Sequence, residues 1–162
     1  VVQTVAFDGY VNMKKDNAYK AAQDKVLKSY AQKQNFTILT WPEKQELSAE
    51  DQQKYDETLI EIKKQAKDDL AKAGKSAPPV NVADFVDHID YMVKLMGIDH
   101  VGISSDFDGG GGVKGWNDAS ETFNVTLELV KRGYSEEEIA KLWGQNLLRV
   151  LYEVQAFAAS MK

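Results

Sequence analysis

The chain has 162 residues, 43% hydrophobic and 28% charged, with a net charge of -5 and no cysteine. That is one ordinary domain in size, with enough apolar residues for a core. The negative balance argues against a nucleic-acid or anionic-membrane surface, the lack of cysteine excludes disulfides and Cys-based zinc sites, and no stretch is apolar for long enough to span a bilayer.

"VVQTVAF" at the start is β-branched and nearly all apolar, which predicts a strand buried on both faces. "DGY" breaks it. "DNAYKAAQDKVLKSYAQKQ" predicts a solvated helix, and "NFTILTWPEKQE", punctuated by Pro42, an irregular stretch. Ser48 to Asp51 has the form of a capping box opening a charged helix to about Ala73, with only Tyr55, Leu59 and Ile62 as an apolar stripe. Gly74 and "KSAPPV" end it. Asn81 to Asp84 cap a second helix with Phe85, Ile89, Met92, Val93 and Met96 at core-facing spacing, and Gly97 stands where a C-cap belongs. "DHVGIS" is a short strand. A glycine loop follows, then a helix from about Ser120 to Lys131, one capped by Ser135, a break at Gly144, and a last helix capped by Asn146.

Strands alternating with helices predict parallel β/α units, so the fold class is α/β. Residues 12–79 read as a charged helical insertion between the first strand and its return helix. Two strands alone cannot make a parallel sheet covered on both faces, which leads us to expect further strands outside this sequence.

The chemistry-bearing stretch is "GISSDFDGGGG", Gly102 to Gly112. In β/α enzymes chemistry gathers at the C-terminal ends of strands, where Asp106 falls. A carboxylate there can ligate a metal or move a proton, and glycines let the backbone pass close to a ligand. The plain alternative is a flexible turn whose acids cap the next element. A calcium loop fails, because Gly110 and Asn117 occupy ligand positions; a phosphate loop lacks its Gly-Lys-Ser/Thr; and no elbow-type serine supports a Ser-His-Asp triad. His100 lies at the strand's opposite end from Asp106, about 20 Å away at strand rise, and His88 sits on the preceding helix. Both histidines are expected to be structural. No arrangement of this chain's residues gathers the three or four ligands of a hydrolytic metal site around Asp106.

"DFVDHIDYMVKLMGIDHVGISSDFDGGGG" and "RGYSEEEIAKLWGQNLLRVLYEV" resemble the C-terminal part of the membrane (renal) dipeptidases, the zinc peptidases of family M19. The Gly-x-x-Ser-Asp-Phe-Asp-Gly signature stands at Gly102 to Gly109, the closing "GxNLLRV" pattern at Gly144 to Val150, and "VVQTVAFDGYV" is similar to the family's seventh barrel strand. The resemblance implies the last two strands of a (β/α)8 TIM-type barrel with their helices. It further implies hydrolysis of dipeptides with two zinc ions in the barrel mouth, where a bridging hydroxide attacks the peptide carbonyl. Asp106 matches the acid that shuttles the proton from that hydroxide to the leaving amine. Tyr10 matches a pocket-lining tyrosine, and the loop from Asp108 through Gly109 and Gly110 to Gly112 would border the substrate. Asp108 itself is expected to turn away and cap the loop, and Asn146 and Arg149 to hold the closing helices.

The family's zinc ligands, a His-x-Asp, a bridging Glu and two histidines, lie ahead of the matching region. No metal ligand is therefore expected in this chain, and alone it is expected to be inactive. The expected partners are a dipeptide, the N-terminal part of the same barrel and, through the open flank of the first strand, a second copy. The sequence leaves the location open, with a lean toward export or a bacterial periplasm. A second reading makes the chain a non-catalytic helical interaction module working through its charged helices.

Overall fold

The computed structural model describes residues 1–161. It divides into two compact units, Val1–Lys14 with Pro79–Lys162, and Lys15–Pro78.

The first unit is built on two parallel strands, β1 (Val2–Val5) and β2 (Val101–Ser104), in the register Val2↔Val101 to Val5↔Ser104. The ladder continues past both strands. Ala6 donates its N–H to the Ser104 carbonyl at 3.1 Å, and the Ala6 carbonyl accepts from Gly112 N at 2.8 Å. Parallel pairing brings both C-terminal ends to one edge, which is where the loop after β2 is held. The expectation that β1 is buried on both faces is not met. It pairs with β2 alone, and Val2 is 46% exposed.

Helix α5 (Val82–Met96) begins with the predicted Asn81 cap, whose side chain accepts from Ala83 N and Asp84 N, and ends at Gly97, with φ of 88°. Val82, Phe85, Val86 and Ile89 are buried, and Met92, Val93 and Met96 pack against the same core. That spacing follows the 3.6-residue period and gives one apolar stripe. A 3-10 turn at Ala119–Glu121 leads into α6 (Phe123–Lys131), and α7 (Glu136–Ala140) opens on the predicted Ser135 capping box.

Trp116 lies at the centre of the core. Its ring meets Phe85 and Phe107 at 5.3 Å and Trp143 at 5.9 Å, and its indole N–H donates to Thr122 Oγ1 at 3.1 Å. An indole buried this way contributes area and tilted ring contacts, and it keeps its one polar atom satisfied.

A wide, π-type turn at Lys141–Gln145 runs directly into α8 (Asn146–Ser160). Asn146 does not cap that helix as expected. Gln145 is already helical, so the first turn of α8 is reached from within a helix rather than from extended chain. The amide of Asn146 points inward instead, donating to the carbonyls of Ile98 at 2.7 Å and Val101 at 2.9 Å. Arg149 donates to the Asp99 carbonyl at 2.9 Å. Beyond Asn146, Leu147, Leu148, Leu151, Tyr152, Val154 and Phe157 are all exposed.

Helix α1 (Asp8–Lys33) starts in the first unit, bends at Asn12 (φ -153°, ψ 83°) and continues into the second. "DGY" therefore begins a helix rather than merely breaking a strand: Tyr10 N and Val11 N both donate to the Phe7 carbonyl at 2.9 Å.

The second unit adds α2 (Trp41–Gln45), α3 (Ala49–Gln65) and α4 (Lys67–Ser76). The stretch expected to be irregular thus holds a short helix. Thr40 and Glu43 form a capping box with Pro42 in the first turn, a signal present in the sequence and passed over. The single helix expected from Ser48 to Ala73 is broken at Ala66, and α4 runs past Gly74 to Ser76. Ser48 caps as predicted, accepting from Asp51 N at 3.2 Å. Ile62, Ala31 and Ala66 are its buried apolar residues, and Tyr30 donates to Asp69 at 3.0 Å.

Candidate active site

Three segments meet at the C-terminal edge of the two strands: Phe7 to Tyr10 after β1, Ser105 to Gly109 after β2, and Gly110 to Gly112, which returns to β1. Asp106 adopts φ of 53°, the left-handed region, where aspartate is better tolerated than most side chains. Its carbonyl accepts from Gly109 N at 3.2 Å and Gly111 N at 2.9 Å, so the chain wraps tightly around this one residue.

That wrapping explains two of the glycines. A Cβ on Gly109 would stand 2.7 Å from an Asp106 carboxylate oxygen, and one on Gly111 would overlap the Ser105 carbonyl. The residue after β2 and the glycine string are therefore one structure. The Asp106 carboxylate is exposed and makes no hydrogen bond or ion pair with the described residues.

Tyr10 is 77% exposed on the first turn of α1. Asp108 is exposed with φ of 68°, and its side chain caps nothing among the described residues, so the expected loop-capping role is not found. Gly109 and Gly110 are exposed on the same loop. Phe7 went unnoticed in the sequence. Its ring lies 5.4 Å from that of Tyr10, and Phe7 pairs with Gly112 in a parallel bridge. An aromatic residue two positions beyond the strand end, in "AFDGY", was the available signal.

The histidines lie elsewhere. His100 closes the 3-10 turn ahead of β2, beside an open cleft of about 520 Å³ lined by Asp99, Lys141, Gln145, Asn146 and Arg149. Lys141 reaches Asp99 at 3.1 Å and Glu137 at 3.3 Å, and Arg149 reaches Glu153 at 3.1 Å, so the cleft's two strong cations are already paired. Among the described residues no three His, Cys, Asp or Glu side chains come together as a metal cage.

The strongest electrostatic cluster is structural. Arg132 donates to Asp87 at 2.5 Å, Asp90 at 2.6 Å, Glu128 at 3.2 Å and the Ala83 carbonyl at 2.7 Å, tying α6 to α5. Burial opposes the guanidinium's charge, but the hydrogen bonds to Asp87, Asp90 and Glu128 outweigh it and raise its pKa. Burial, then the hydrogen bond to Asp90, raises the Tyr134 hydroxyl.

His88, half-buried on α5, is held below the ordinary histidine value by burial. The unfolded chain then takes up the proton first as pH falls. The resulting stability is complete above the unfolded value of about 6.5 and is lost as pH falls through the lower folded value. His88→Gln is expected to flatten the decline in urea midpoint between pH 7 and pH 5. A parallel decline in both proteins would show that burial of this imidazole is not the source.

An open carboxylate at the C-terminal ends of parallel strands stands where β/α enzymes gather their catalytic groups. The family model for membrane dipeptidase, peptidase family M19, matches residues 24–162, and the chain belongs to that family. Dipeptidase tcpJ of Claviceps purpurea (strain 20.1) is 40% identical over 89 residues, 54% of this chain and 21% of that protein. Dipeptidase ataJ of Aspergillus terreus (strain NIH 2624 / FGSC A1156) is 47% identical over 74 residues, 45% of this chain and 18% of its own length. The crystal structure of the probable dipeptidase PvdM from Pseudomonas aeruginosa superposes with a TM-score of 0.57 at 37% identity, covering 96% of this chain and 37% of that one. The chain thus spans about a fifth of the length of the curated relatives it matches.

Proposed function

We propose that residues 1–162 supply two neighbouring strands and the closing helices of a (β/α)8 barrel that hydrolyses dipeptides, with residues 12–79 as a helical insertion. The observation that carries this reading is Asp106, an exposed carboxylate at the C-terminal end of one of two parallel strands, within a chain of the dipeptidase family. The separate compact unit Lys15–Pro78 agrees with an insertion, and the 37% coverage of PvdM agrees with further strands elsewhere in a longer protein.

In this reading Asp106 accepts a proton from the attacking water as its oxygen bonds to the peptide carbonyl carbon. It returns that proton to the nitrogen as the C–N bond breaks, leaving a free carboxylate and a free amine. Tyr10 and the loop Asp108–Gly112 form the wall against which the dipeptide lies. Zinc, expected from the resemblance, would be held by residues outside this chain.

The test compares the 162-residue chain, with zinc added, against a polypeptide in which the rest of the barrel is joined to it. The chain alone is expected to give no measurable dipeptide turnover and the joined polypeptide to give robust turnover. Equal turnover from both, or none from the folded and zinc-loaded longer protein, overturns the proposal.

A further inference from the structure

We propose that Phe7 is the positioning residue that sets Tyr10 and the glycine loop at a fixed separation; this rests on the dipeptidase reading above. Four observations converge on this side chain and its backbone. The Phe7 carbonyl accepts from Tyr10 N and Val11 N, both at 2.9 Å, so the turn that carries the tyrosine hangs from it. Its ring lies 5.4 Å from the Tyr10 ring, tilted by 56°. It pairs with Gly112 in a parallel bridge, beside the 2.8 Å bond from Gly112 N to the Ala6 carbonyl. Its ring edge stands 3.5 Å from where a Cβ on Gly110 would lie. Its ring meets Tyr10 and its backbone pairs with Gly112, so this one residue joins both walls proposed to hold the substrate, and among the described residues Phe7 makes no hydrogen bond or ring contact with Asp106. Tyr10 at 77% exposure has little else to fix it. A tilted ring pair holds relative position as well as area, and a displaced wall of a site costs binding.

The division of labour predicts a division in kinetics. In the joined polypeptide, Phe7→Ala is expected to raise the dipeptide KM about tenfold with kcat within about threefold, the pattern of lost uniform binding. Phe7→Tyr, which keeps the ring, is expected to restore KM to within about twofold. Phe7→Leu, which keeps apolar bulk without a ring, serves if Phe7→Ala does not fold, and is expected to follow it. In the 162-residue chain, Phe7→Leu is expected to speed amide exchange at Gly112 while Ile103 within β2 keeps its protection. Unchanged KM in folded variants, or no change in exchange at Gly112, overturns the inference. Absence of turnover in the unsubstituted joined polypeptide counts against the dipeptidase reading instead, and the exchange result on the shorter chain then still decides for or against Phe7.

Discussion

Asp106→Asn, made in the joined polypeptide, is expected to lower kcat for dipeptides by about 10²–10⁴-fold, roughly 2.7–5.4 kcal/mol of transition-state stabilisation, with little change in KM. Asparagine keeps the shape that packs over Gly109 and the left-handed backbone that aspartate adopts here. It cannot take up and return a proton. Among the described residues the carboxylate has no hydrogen bond to lose, so the thermal midpoint is expected to stay within about 1 °C of the parent, as for a surface change. Asp99→Asn is the matching control. It removes the same charge at the opposite end of β2, where Asp99 pairs with Lys141. If the control loses as much kcat as Asp106→Asn, net charge rather than proton transfer is responsible. If Asp106→Asn turns over normally, the role assigned to this carboxylate is wrong.

Local patterns carried the fold where one segment decides its own structure. The Asn81 and Ser135 caps, the apolar period of α5 and the turn at Gly97 are all set by interactions within a few residues, and each is found as read. Apart from the local Thr40–Glu43 capping box, the missed features depend on interactions the segment's own residues do not announce. Nothing near Asn146 announces that its amide will bridge Ile98 and Val101, 48 and 45 residues earlier, rather than cap a helix. The break at Ala66 is equally hidden, since alanine is a strong helix former. In the site, the strand-end position of Asp106 was legible because strand and loop are contiguous. For Phe7 only its aromatic character near the strand end was legible, because its importance comes from the Gly112 backbone beside it, a pairing that exists only once β1 and β2 align.

Two surfaces share one explanation. Val1 and Val2 on β1, and most of the large apolar residues of α8, face solvent, although buried apolar groups of this size are each worth about 1.5–3 kcal/mol. In the barrel proposed above, a strand edge and a closing helix are the places where further strands and helices would attach.

The joint between β2 and α8 supplies the second large effect. Asn146 is 2% exposed and donates both amide hydrogens to main-chain carbonyls, one in the 3-10 turn and one at the first residue of β2. Asn146→Asp keeps the size and removes the donors. It sets a buried carboxylate against two carbonyl oxygens, so at neutral pH it is expected to cost about 3–5 kcal/mol, in the range for an uncompensated buried charge. Burial and the facing carbonyls favour the protonated acid and raise its folded-state pKa above the unfolded one. Stability of the variant relative to the parent is therefore highest below the unfolded value, about 3.9, and falls as pH rises through the folded one. Asn146→Leu separates the two contributions. It leaves both carbonyls without a partner at about 1–3 kcal/mol each but adds no charge, so its deficit is expected to be flat with pH. Urea midpoints of the three proteins between pH 4 and pH 8 decide the matter. A deficit in Asn146→Asp that does not change with pH would mean the new carboxylate escapes to water, and that this joint is looser than its two short hydrogen bonds indicate.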